Sequence, residues 1–206
     1  MTNHSRWIKA AWIAILVLIY FAFSAWYGGN GKPLSAEDGA ALIAEMRVSY
    51  GAASESEGGF ADHIEAMIPN DDGKEFYAVN LEQLKTGDAA KDADRAYAKT
   101  VFPLLFKRGS HPVFVSHRVG LMLGEYGEDV DRVAVVRYRS LRDMITMTLE
   151  PSMIEGSHHK FKALDHTEVF ITRPMITFMH VRLVLALILA ILGLLGMRVI
   201  AWATKQ

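Results

Sequence analysis

The chain has no cysteine. That excludes disulfides, thiolate metal centres and cysteine nucleophiles, and it assigns no redox compartment. Acidic side chains are missing from both ends: all 23 Asp and Glu of the 206 residues fall between Glu37 and Glu168. Five of the 22 basic residues, Arg6, Lys9, Arg182, Arg198 and Lys205, lie outside residues 28–175, leaving 17 against 23 within that stretch, a charge of −6. An acidic middle with no basic stripe and no interleaved aromatics repels phosphate backbones and excludes nucleic acid as a partner. The chain also lacks a Gly-x-Ser-x-Gly elbow, a phosphate loop, a His-Glu-x-x-His pair and a dinucleotide fingerprint, so hydrolase, nucleotide and zinc-protease readings have no support.

The chain does have apolar length at both ends. Residues 183–197 are an uninterrupted apolar run, and with its flanks, 174–204, it is long enough to cross a hydrocarbon core of roughly 30 Å as a helix. Residues 10–27 form a second run without a charge, ending in Trp26 and Tyr27. The rival reading of this first run is a secretory signal peptide cleaved after Ser24, behind Ala22; the length of the run favours an uncleaved anchor. In both readings the stretch from residue 28 onward is exported. Arg6 and Lys9 before the first span, with Arg198 and Lys205 at the end of the second, place both termini in the cytoplasm. The expectation is a two-pass inner-membrane protein with cytoplasmic segments 1–9 and 205–206 and an extracytoplasmic domain. Trp26, Tyr27, Arg182, Arg198 and Trp202 are the expected membrane-interface residues, and the bilayer is the first expected partner. Within the second span Ala186 and Ala190, four apart, give the better packing seam, because Gly193 and Gly196 are only three apart.

Between the spans the pattern divides. Residues 28–74 read as a glycine loop, a helix capped at Ser35, a flexible stretch over 51–59, a short helix stopped by Pro69, and the Asn70-Asp71-Asp72-Gly73 turn. Residues 75–173 alternate. Strands are expected at 76–81, 112–119, 132–138 and 168–172, a helix at 92–107 with Pro103 kinking or breaking it, and a Ser140-capped helix that continues past Pro151. The order β-α-β-β-α-β builds a ferredoxin-like antiparallel sheet with helices on one face, an α+β fold. The other face stays open, to be closed by pairing or by the helices of residues 35–68. Only Arg173 and Pro174 separate the last expected strand from the second apolar segment, which keeps the domain close to the bilayer.

The stretch Phe76-Tyr77-Ala78-Val79-Asn80-Leu81, then Ala96-Tyr97 before a helix ending near Gly109, residues 131–140, and a Pro151-x-Met153 helix with His159 and Ala163-Leu164 resemble a family of small, functionally uncharacterised proteins in the dimeric α+β barrel superfamily. The resemblance covers about residues 75–173. It implies fold more than function, since other members of the superfamily are monooxygenases, isomerases and haem enzymes. The two apolar runs and the helical segment before Glu75 depart from it.

Two functions are expected. The first is a structural, interaction or accessory module of a membrane complex, joined to copies of itself or to a membrane-protein partner and needing no cofactor. The second is a small-ligand or redox enzyme whose pocket is lined by Tyr77, Asn80, His117, Arg137 and Tyr138. For the second, Met144, Met147, His158 and His159 have the thioether and imidazole chemistry that suits copper, and a histidine could serve haem. Methionines at helical spacing are more often core filler.

Overall fold

The computed structural model describes residues 3–51, 59–177 and 179–204, so most of the 51–59 connection and the 205–206 end lie outside the described residues. Two compact units emerge. One comprises Met1–Tyr27 with Met175–Gln206, the other Gly28–Pro174.

The first unit is a pair of helices, α1 (Asn3–Gly28) and a closing helix (Val181–Ala203). Both are long and apolar enough to cross a membrane, with mean hydropathy 2.1 and 2.7. They run antiparallel. The Thr204 hydroxyl donates to Ser5 Oγ at 3.3 Å at one end, and the Arg182 guanidinium lies 5.6 Å from the Tyr27 ring centroid at the other, a cation–π contact. Between these ends Gly193 faces Ile13 and Leu16, and Gly196 faces Trp12. A Cβ on Gly196 would lie 2.6 Å from Cε2 of Trp12, so only glycine admits the indole there. This corrects the expected seam. Ala190 is exposed, whereas Gly193 is buried. Spacings of three and four both return to one helix face, and the absent side chains at 193 and 196 let the backbones approach. Of the expected interface residues, Tyr27 is buried beside Phe23 and Trp26, while Arg182, Arg198 and Trp202 are exposed.

The second apolar helix starts at Val181, not at 174. The Thr177 hydroxyl accepts the Met179 N–H at 3.0 Å, a local bond that competes with helix, and Pro174 precedes it. Eight residues, 173–180, therefore separate the last strand from this helix, more than the expected two.

The second unit carries α2 (Ala36–Tyr50), α3 (Phe60–Met67), β1 (Phe76–Leu84), α4 (Asp88–Lys107), β2 (His111–His117), β3 (Arg132–Tyr138), α5 (Leu141–Thr148), α6 (Pro151–Ala163) and β4 (Leu164–Thr172); the closing helix of the first unit is α7. Ser35 and Ser140 cap α2 and α5, each accepting the N–H three residues on at 3.1 Å. Helix α4 runs through Pro103 without a break, and the expected single helix after Ser140 is two, separated ahead of Pro151. Gly73 holds φ +71° where the chain passes the Gly31 and Lys32 backbone, and Asp71 beside it accepts the Leu34 N–H at 2.7 Å.

The four strands form one antiparallel sheet in the order β2-β3-β1-β4. Alternation sends Phe76, Ala78, Asn80 and Glu82 of β1 to one face, with Arg132, Val136 and Tyr138 of β3 and Ile171 of β4. Each helix described in this unit packs on that face. Phe76, Tyr138 and Ile171 meet Leu34, Met46, Ala61, Leu141, Met144 and Ile145, which brings α2, α3 and α5 together. Val136 and Tyr138 meet Val101, Leu105, Met147 and Met153 of α4, α5 and α6. The helices of residues 35–68 therefore thicken the covered side and do not close the open one. There Val79, Leu81 and Val133 are partly exposed, and Phe114 and Phe170 are 50% and 44% exposed.

Candidate functional site

The covered face ends in a cluster of charged and polar side chains. Glu82 is buried at the end of β1, where Arg132 Nε donates to it at 2.5 Å. The same guanidinium makes two bonds of 2.8 Å to Asp94 of α4. This bidentate pairing, ahead of the Glu82 contact, raises the Arg132 pKa against the opposing effect of burial. Beside it, Lys160 of α6 donates to Asn80 Oδ1 at 3.2 Å, and Asn80 Nδ2 donates to the Ala134 carbonyl at 3.1 Å. No carboxylate lies within ion-pair distance of Lys160 among the described residues. Burial holds its amine below the ordinary lysine value, while Glu82 draws it up and Arg132 pushes it down. Tyr97 and Tyr138 line the same interior; burial pushes both phenols up, Tyr138 to about 12.

The sign of the Lys160 effect comes from linkage. A lysine whose folded pKa is lowered leaves the folded state with fewer bound protons than the unfolded state, so stability rises with pH between that lowered value and about 10.5 and is reduced below it. Thermal unfolding of the intact protein across this window should show the rise in wild type and a shallower one in Lys160→Met. Equal slopes would remove Lys160 as its source.

The five expected pocket residues divide between the two faces. Asn80 and Tyr138 lie on the covered face, Asn80 bonded as above and Tyr138 stacked on Phe76 with centroids 5.5 Å apart. Tyr77 and Arg137 are directly paired across β1 and β3 on the opposite face. Arg137, only 1% exposed, is an anchor: it donates to the Gly109 carbonyl at 2.7 Å and is ion-paired with Glu75. His117 lies at the far end of β2, on the wall of a groove of about 360 Å³ with Leu81, Ser116 and Val133 as floor and Leu121 and Tyr126 above. That groove is small-molecule sized but mainly hydrocarbon-lined.

The expected copper set is spread over α5 and α6. Met144 packs in the cluster around Phe76, and Met147 in the one around Val101 and Leu105. His158 and His159 of α6 have ring centroids 4.0 Å apart, with His158 exposed. Among the described residues no three His, Asp or Glu side chains converge on a common point. The thioethers fill core.

Sequence reasoning missed Glu82, Arg132, Asp94 and Lys160. A signal existed for two of them: Glu82 continues the phase of Asn80 along β1, and a charge at an inward position requires a partner. The partners came from a helix and from another strand, with no fixed spacing.

No protein-family model matches the chain, and no curated protein matches it significantly. Solved structures do share its fold. The methylated RPA0582 protein is 20% identical over 63% of this chain and 98% of its own, with a TM-score of 0.52. The RPA0582 protein of unknown function from Rhodopseudomonas palustris is 18% identical over 60% of this chain and 98% of its own, TM-score 0.51. A hydroxynitrile lyase from Passiflora edulis, 13% identical over 52% of this chain and 98% of its own, has a TM-score of 0.38, too low to inform fold or chemistry. At these identities the likeness establishes an α+β architecture and nothing about activity. Nearly all of each RPA0582 structure is matched by less than two thirds of this chain, so more than a third of the chain lies outside the shared fold.

Proposed function

We propose that the chain is a two-pass inner-membrane protein whose α+β unit is an extracytoplasmic interaction module, using the open face of its sheet to hold a protein partner. The order β2-β3-β1-β4 with one-sided helices supports a ferredoxin-like plan within the dimeric α+β barrel group. The carrying observation is asymmetry of cover: the helices of this unit take one face, while on the other Tyr77, Val135 and Arg137 are buried but Phe114 and Phe170 are exposed and Val79, Leu81 and Val133 partly so. An apolar sheet face of this kind marks a contact surface. The polar cluster on the covered face supports the same reading, because Arg132 is taken up by Glu82 and Asp94 and Asn80 by the Ala134 carbonyl and Lys160. Both termini are cytoplasmic in this reading, from the basic residues before the first span and at the end of the second.

The test is the mass of the intact protein in mild detergent. Wild type should run as an assembly larger than a single 22.9 kDa chain, and Phe114→Asp with Phe170→Asp should release the single chain. A wild-type protein already at single-chain mass in detergent and in native membranes would defeat the reading.

A further inference from the structure

The lysine on the covered face of the sheet has an amine that the fold leaves largely unused. Asn80 Oδ1, an uncharged acceptor, is the one hydrogen-bond partner of Lys160 Nζ among the described residues. The carboxylate that faces it from β1, Glu82, is taken up by Arg132 of β3, and that guanidinium acts on the same amine. Burial, a neutral acceptor and a neighbouring cation are the conditions that keep a lysine amine unprotonated and nucleophilic. A second feature of the same face is an orphan. Thr167 of β4 stands directly across from Glu82 in the strand register, on the covered side, and its Oγ1 is buried without a hydrogen-bond partner among the described residues. Lys160 itself is only partly covered, which leaves a small molecule a way in.

We propose that Lys160 is a covalent site for a small aldehyde or ketone, whose carbonyl carbon Nζ takes as an imine and whose oxygen the Thr167 hydroxyl meets. The inference goes beyond the contact-surface reading and concerns the other face of the sheet, so either can fail alone. A carbonyl compound suits both groups, offering an electrophilic carbon to the amine and an acceptor oxygen to the hydroxyl. An acid suits them less, because it would bring a charge into a space where the buried Glu82 already has its cation. In the step itself the Nζ lone pair forms the N–C bond while the C=O π pair moves onto oxygen. That oxygen then leaves as water with the two amine hydrogens, and a C=N bond to Nζ remains; nothing is oxidised or reduced.

The test treats the intact protein, in mild detergent at pH 7, with propanal and sodium cyanoborohydride, which reduces the imine to a stable secondary amine, and reads labelling lysine by lysine from peptide masses. Lys160 should be alkylated at least about fivefold faster than Lys91, whose side chain is 66% exposed, and the advantage should vanish in denaturant. Thr167→Val keeps the shape and removes a hydroxyl that is already unpaired, so the fold should persist. That variant should slow alkylation at Lys160 at least about threefold and leave Lys91 unchanged. Lys160 labelled no faster than Lys91, or equally favoured in denaturant, overturns the proposal. An unchanged rate in Thr167→Val overturns the paired site in which the hydroxyl meets the carbonyl oxygen.

Discussion

Replacing Arg132 by methionine is expected to destabilise the α+β unit by about 3–5 kcal/mol, the usual cost of stranding a buried charge. The Glu82 side chain retains 7% of its exposure and its ion-pair partner is Arg132 at 2.5 Å. Without that guanidinium the carboxylate must protonate, stay charged in a poor dielectric, or draw water into the space between β1 and α4. Asp94 suffers less, because it is 35% exposed and can hydrate. The companion variant is the sharper probe: Arg132→Met with Glu82→Leu removes both buried charges and should regain most of the loss. Thermal or denaturant unfolding of the two variants decides the matter. A single substitution costing under about 1 kcal/mol, or a double no better than the single, would show that the cluster is solvated rather than interlocked.

The second large effect concerns the apolar hairpin. Gly196→Leu should drive α1 and α7 apart, since even a Cβ meets the Trp12 indole, and overpacking a close helix contact costs about 1–3 kcal/mol. The buried Trp12 Nε1 has no hydrogen-bond partner among the described residues, so its side chain is held by packing and not by a polar anchor. Ser5→Cys with Thr204→Cys provides the readout, because the two hydroxyls are 3.3 Å apart and the chain has no other thiol. The disulfide should form readily in the parent and at least tenfold more slowly with Gly196→Leu. Ala190→Leu, on the exposed side of α7, should leave its rate unchanged. Equal rates in both variants would mean that the glycine seam does not hold the hairpin.

The strands were legible because their signal is local. β-branched and aromatic alternation marked 76–81 and 132–138, and both serine caps announced their helices. Boundaries slipped where a chemical detail decides them: α7 starts after the Thr177 bond, and β4 begins at Leu164, inside a stretch whose His166 and Glu168 read as polar. The expected pocket failed for a different reason. Odd and even positions of one strand point to opposite faces, so Tyr77 and Asn80 could never line one cavity, and strand parity alone could have separated them. The Glu82–Arg132–Asp94 cluster was out of reach, because it joins β1, β3 and α4 through pairings that only the folded topology specifies. The glycine seam was hidden by expecting a four-residue repeat where the helix pair uses a three-residue one.

At the centre of the proposed function is a module that faces outward and has one sheet face covered by a partner. Membrane-impermeant maleimide applied to intact cells tests both parts together, using single thiols at Val48, 86% exposed on α2, and at Phe114 on the open sheet face. The expected result is rapid labelling at position 48 and protection at position 114 until a denaturing detergent is added. Equal labelling at the two positions would show a bare face, and no labelling at position 48 until the cells are broken would place the module in the cytoplasm.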